Sequence, residues 1–136
     1  MVREFPAGTR TAADAAAAIG VEVAQIVKSL VFRVDDRVVV ALVSGVNRVE
    51  ERRLAESAGG SNVRRADAET VRAPTGYPIG GVPPFGHHTV LPTFIDHDLL
   101  QYDEVWAAAG TPHRVFPISP ADLVRLTGAV PAALGG

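Results

Sequence analysis

Apolar positions cluster most densely between Lys28 and Val43, where two β-branched runs flank a single polar pair. Lys28 to Val34 and Arg37 to Val43 read as strands, and Asp35-Asp36 between them reads as the turn of a β-hairpin. Upstream, Thr11 precedes an alanine-rich stretch that closes on Ile19-Gly20, the pattern of a short helix with threonine at its start and glycine past its end. Thr9 or Thr11 can serve as the cap, Thr11 being favoured, and Asp14 stands three residues after Thr11, well placed for the helix dipole. Val21 to Val27 is expected to add a helical turn. Downstream, Asn47 to Ala58 sets Val49, Leu54 and Ala58 among charged residues at helical spacing, which predicts an amphipathic surface helix ended by Gly59-Gly60.

The remaining pattern is mostly strand. Val63 to Ala66 predicts a short strand, and Asp67 caps a helix running through Arg72. His88 to Asp96 predicts a strand with an edge or a bulge at Pro92. A turn follows over Asp96 to Leu100. Glu104 to Ala109 and Arg114 to Ile118 predict two further strands joined by Gly110-Thr111-Pro112-His113. Ser119, Pro120 and Asp122 open a last helix through Leu126. Helix, hairpin, helix, strands and helix in that order imply a mixed α/β domain with a largely antiparallel or mixed sheet, unlike the regular alternation of a doubly wound fold.

Composition narrows the function classes. The chain of 136 residues is expected to form one domain, 1–136, and its apolar content of 47% is that of an ordinary globular protein. Cysteine is absent, which removes disulfides, zinc-thiolate sites and thiol catalysis and fits a cytoplasmic setting. The N-terminus lacks the apolar run of a signal peptide, and the longest apolar run, Val38 to Val43, is too short to span a bilayer. No membrane association is expected. The formal net charge is −2, so a nucleic-acid role would be local, at a terminal nucleotide, rather than along a duplex. Lys28 is the sole lysine among thirteen Lys and Arg residues.

The densest turn chemistry lies in Gly76 to Gly86, which holds four glycines and three prolines but no charge. Such a stretch predicts a rigid loop that presents main-chain groups, the kind of element on which binding and catalysis concentrate. It lacks the G-x-x-x-x-G-K-[ST] pattern of a phosphate-binding loop. Ser29 has no G-x-S-x-G elbow around it. His87, His88, His97 and His113, with Asp96, Asp98 and Asp103, have no helical H-x-x-x-H spacing, and neither a metal nor another cofactor is expected. Lys28, at the head of an apolar strand, suits either a fixed positive charge or a lysine whose ammonium reaches solvent from a strand end.

Three segments taken in order carry a family resemblance: Val27-Lys28-Ser29-Leu30-Val31-Phe32, Thr75 to Gly86, and Leu91-Pro92-Thr93-Phe94-Ile95-Asp96. Together they resemble the YbaK/prolyl-tRNA synthetase-associated domain family, over Thr11 to about Leu126. The resemblance implies a curved mixed sheet flanked by helices and an enzyme that hydrolyses mischarged aminoacyl-tRNA, acting in trans or beside prolyl-tRNA synthetase. The family's lysine falls on Lys28 and its glycine-proline loop on Gly80, Gly81, Val82, Pro83 and Pro84. Lys28, Gly80, Gly81, Val82 and Pro84 are thereby implied as catalytic. Thr11, Phe32, Phe85, Gly86, His87, Asp96, Gly110 and His113 are implied as substrate-binding.

An aminoacyl ester is already activated, so the chemistry implied is positioning, a held water and oxyanion stabilisation, without a nucleophilic side chain. Cysteine, alanine, serine and threonine are all open as the amino acid removed. A binding module that recognises aminoacyl-adenosine or a synthetase without turnover is the alternative. Pro83 stands where many relatives have serine, and only ten residues precede Thr11 where many relatives have a helix and a strand, so either a truncated variant or a remaining edge strand is expected there.

Overall fold

The hairpin that the β-branched runs predict is the centre of the sheet. The structure is a computed structural model and describes residues 3–4, 11–77, 82–84, 86–87, 90–110 and 114–135. Strand β2, Ile26–Val34, pairs antiparallel with β3, Arg37–Ser44, across the Asp35-Asp36 turn. Asp35 takes a left-handed φ of 55°, which an aspartate tolerates in a tight hairpin turn. Around this pair lie β1 (Arg3–Glu4), β4 (Val63–Arg65), β5 (Thr93–Asp96), β6 (Val105–Ala108), β7 (Arg114–Ile118) and β8 (Val130–Ala132). The strand order is β1-β7-β6-β2-β3-β5-β8, with β4 also paired to β2. The β2–β6, β3–β5 and β5–β8 pairs are parallel and the rest antiparallel, so the sheet is mixed.

Helices α1 (Ala12–Ile19), α2 (Glu51–Ala58), α3 (Ala68–Thr75) and α4 (Pro120–Thr127) flank the sheet. Thr11 caps α1 as expected and forms a capping box with Asp14, Asp67 and Ser119 cap α3 and α4, and Gly20, Gly59, Gly76 and Gly128 close the four helices in left-handed conformations. Alternation along β2 divides the core. Val27 and Val31 face a cluster with Leu42, Ile95, Leu99 and Leu123, while Phe32 and Val34 face one with Val39, Val43, Leu54 and Leu134. A third, smaller cluster sets Ala15 and Ala16 of α1 on Ile26, Trp106 and Val115.

Several element boundaries differ from the sequence reading. Helix α2 begins at Glu51 rather than Asn47, because the intervening backbone is drawn toward the C-terminal segment: Val49 bridges Gly135, and the Glu50 N–H donates to Leu134 O at 2.7 Å. The strand expected from His88 is confined to Thr93–Asp96; Val90 is almost wholly exposed, and the Pro92 carbonyl accepts from Val40 N–H at 2.9 Å where the ladder begins. His88 and Thr89 lie outside the described residues. Val21 to Val27 contributes a 3-10 turn at Val23–Gln25, and β2 then starts at Ile26. Helix α3 runs past Arg72 to Thr75, whose Oγ1 donates to Val71 O, and β8 has no counterpart in the sequence reading.

Candidate active site

A break in the sheet makes the site. On its outer side β2 pairs with β6 only at Ile26 and Val27, and with β4 only from Phe32 onward. Between these ladders the sheet opens, apart from one bond from Ala66 N–H to Val31 O at 3.1 Å. The Gly45 N–H donates to Ile26 O, so even-numbered residues of β2 turn their peptide groups to β3 and odd-numbered ones turn them outward. Ser29 is therefore the residue whose main-chain N–H and C=O face the opening. Its Oγ is buried and has no hydrogen-bond partner among the described residues, a cost of about 1–3 kcal/mol for such a group.

A cavity of about 380 Å³ occupies this opening. Thr11, Ala12 and Ala15 of the α1 region form one wall, and Trp106, Ala108 and Val115 form another. Lys28, Ser29 and Leu30 supply the strand edge, Arg65 lies beside them, and Val71 and Val82 line the space on the far side. The volume falls within the range of about 300–1,000 Å³ typical of small-molecule pockets.

Lys28 Nζ donates to the main-chain oxygen of Asn47 at 2.5 Å. Partial burial lowers its pKa from the ordinary lysine value, and the positive charges of Arg65 and then Arg48 lower it further, against the opposing pull of Asp96. The Arg65 guanidinium lies 5.5 Å from the centre of the Phe32 ring, a cation–π distance that orients it. Two cations, Lys28 and Arg65, thus line the cavity on a chain of net negative charge, with Arg48 near enough to act on Lys28, an arrangement suited to phosphate oxygens.

The structure brings some of the expected site residues together and separates others. Lys28, Thr11 and Val82 line the same cavity. Phe32 is buried beneath Arg65 instead of lining the space. Pro84 is buried and Gly86, at φ 78°, is exposed; neither lines the cavity. His87 Nε2 lies 2.6 Å from Pro83 O, so that carbonyl is engaged within the loop. Asp96 is buried and accepts from Asn47 Nδ2 at 2.8 Å. Gly110, at φ 103°, packs on Tyr77, whose ring would lie 3.3 Å from an added Cβ. Gly80, Gly81, Phe85 and His113 lie outside the described residues. Among the described residues no three His, Cys, Asp or Glu side chains converge into a metal-binding group.

Sequence reasoning missed Asn47, Arg65 and Trp106. Asn47 was assigned to the head of a surface helix, and Arg65 to a short strand without further role. The one available signal was a polar asparagine three residues past Ser44, where the apolar strand ends. Its partners lie on β5 and in the turn after it, 49 and 51 residues away.

Comparison with known proteins gives the family. Residues 6–126 match the model of the aminoacyl-tRNA editing domain. YwhH of Bacillus subtilis is 30% identical over 123 residues, covering 90% of this chain and 78% of its own. EbsC of Enterococcus faecalis, named as a candidate Cys-tRNA(Pro)/Cys-tRNA(Cys) deacylase, is 29% identical over 119 residues, with 86% and 72% covered. The proline–tRNA ligase of Maridesulfovibrio salexigens is 36% identical over 93 residues, 68% of this chain but 16% of the ligase. A crystal structure described as a candidate trans-editing enzyme for prolyl-tRNA synthetase superposes with a TM-score of 0.95 at 52% identity, covering 99% of this chain and 85% of that one. The chain belongs to the aminoacyl-tRNA editing domain family.

Proposed function

We propose that this protein deacylates mischarged aminoacyl-tRNA, taking the aminoacylated 3′ end into the cavity between α1 and the open edge of β2. The observation that carries this reading is the meeting of Lys28, the unpaired Ser29 strand edge and Val82 of the glycine-proline loop around one space of about 380 Å³. That volume suits an aminoacyl group and part of a ribose, and it excludes a folded nucleic acid. Lys28, with Arg65 beside it, holds a phosphate near the terminal adenosine. The outward N–H of Ser29 is the donor for the ester carbonyl as it becomes an oxyanion, and main-chain groups of the Gly80 to Pro84 loop position substrate and water, as the family resemblance implies. A water held against the carbonyl attacks it, the tetrahedral species collapses, and the ribose oxygen leaves with a proton. No covalent enzyme intermediate is needed, because the ester is already activated.

The names carried by the relatives favour tRNA(Pro) bearing a wrong small amino acid, with the protein working beside a prolyl-tRNA synthetase. Cysteine, alanine, serine and threonine are the amino acids to test, since pockets of this kind separate small side chains by only about 1–3 kcal/mol per methylene. The test is a deacylation panel of tRNA(Pro) charged with each. Release from at least one, lost in a folded Lys28→Ala protein, is the expected result. Binding of a non-hydrolysable aminoacyl-adenosine without release from any member would instead mark a recognition module.

A further inference from the structure

Asn47 is 6% exposed and Asp96 1% exposed, deeper than residues of a surface turn need to be. Asn47 Nδ2 donates to Asp96 Oδ2 at 2.8 Å and to Asp98 Oδ2 at 2.6 Å. The Asp98 N–H donates to Asp96 Oδ1 at 3.2 Å, so the Asp96 carboxylate is also held by the turn that carries Asp98. The Asn47 N–H is fixed on Ser44 O at 2.9 Å. Side-chain amide and N–H both anchor Asn47 beside Lys28, and its main-chain carbonyl accepts from Lys28 Nζ at 2.5 Å.

Drawing two carboxylates toward one neutral amide costs desolvation. The turn has other anchors, since Val49 bridges Gly135 and Glu50 N–H reaches Leu134 O. The feature that the carboxylate–amide arrangement adds is a fixed acceptor for the ammonium. A lysine side chain has four rotatable bonds and little directional preference of its own, so its position in a site is set by what it is tethered to.

We propose that Asn47 is a positioning residue for Lys28: Asp96 and Asp98 fix its amide, and its carbonyl fixes the ammonium in the cavity wall. This rests on the reading of Lys28 as the cation that meets the substrate. Asp96 then serves the site from behind, through Asn47, without touching the substrate.

The chain's single lysine gives a direct test. With ¹³C,¹⁵N-labelled lysine the protein shows one side-chain ammonium signal, which can be followed in the wild type, Asn47→Ala and Asp98→Ala. A tethered ammonium is slow to exchange with water and is visible in the wild type. Asn47→Ala is expected to abolish that protection and to lower kcat/KM about tenfold or more, while adding nothing to the loss in Lys28→Ala. Asp98 is exposed, so Asp98→Ala keeps the fold if Asn47→Ala does not, and is expected to weaken protection and activity in the same direction by less. A protected signal that survives in both variants, or full deacylation by folded Asn47→Ala, overturns the proposal. Full activity of Lys28→Ala would overturn the reading of the site instead, and the ammonium signal decides on the tether independently of that result.

Discussion

At the scale of single residues, Lys28 lines the cavity on which the proposed function rests, and its titration is the property most open to measurement. Burial and the neighbouring Arg65 and Arg48 lower its pKa, and Asp96 opposes them. The labelled ammonium should therefore titrate below the ordinary lysine value of about 10.4. Arg65→Met removes the larger of the two repelling charges and should raise the midpoint. Asp96→Asn removes the opposing one and should lower it. The sign for stability follows: the unfolded chain holds this proton more tightly than the folded one. Lys28 thus makes stability rise with pH between its folded and unfolded pKa values, a dependence that Lys28→Met should abolish. A midpoint at or above the ordinary value would contradict the burial described. Lys28 was legible in the sequence because a sole lysine heading an apolar strand stands out. Asn47 and Arg65 were not, since nothing within a few residues of Asn47 signals two carboxylates across the sheet, and the position of Arg65 depends on the pairing of β4 with β2.

At the scale of elements, the parts read correctly were those specified locally. The β2–β3 hairpin follows from β-branched runs around a two-residue turn, and α1, α3 and α4 follow from their caps. The errors fell where distant segments decide. The head of α2 is displaced by the C-terminal segment at Leu134 and Gly135, and of the strand expected from His88 only Thr93 onward is strand among the described residues, paired to β3 from Val40. The gap in the sheet at Ser29 could not be read from the sequence, because it is a property of where β4 and β6 stop. Gly45 shows how tightly the elements around the site meet. A Cβ there would lie 2.4 Å from Val23 O and 3.0 Å from the Ala12 side chain, in the backbone that carries α1. Gly45→Ala should cost more than about 2 kcal/mol in denaturant unfolding. Ser119→Ala, which removes only the cap of α4, should cost about 1 kcal/mol. Equal losses would mean that the contact at Gly45 relaxes without effect.

At the scale of the whole molecule, the formal charge of −2 and a tRNA substrate are reconciled by locality. Lys28 and Arg65 line the cavity, and Arg48 lies near enough to act on Lys28. If these three cations make the phosphate contacts, at about 0.7 counterion per contact with a single strand, log affinity should fall against log salt with a slope of about −2. A slope several times steeper would mean that the body of the tRNA docks elsewhere on the surface. Among the described residues no helix is long and apolar enough to cross a membrane. The most direct test of the account is deacylation of mischarged tRNA(Pro) by the purified protein, with folded Lys28→Ala measured beside it. The account predicts release of at least one of cysteine, alanine, serine or threonine by the wild type and loss of that release in Lys28→Ala. No release from any of the four, or undiminished release by the variant, would contradict it.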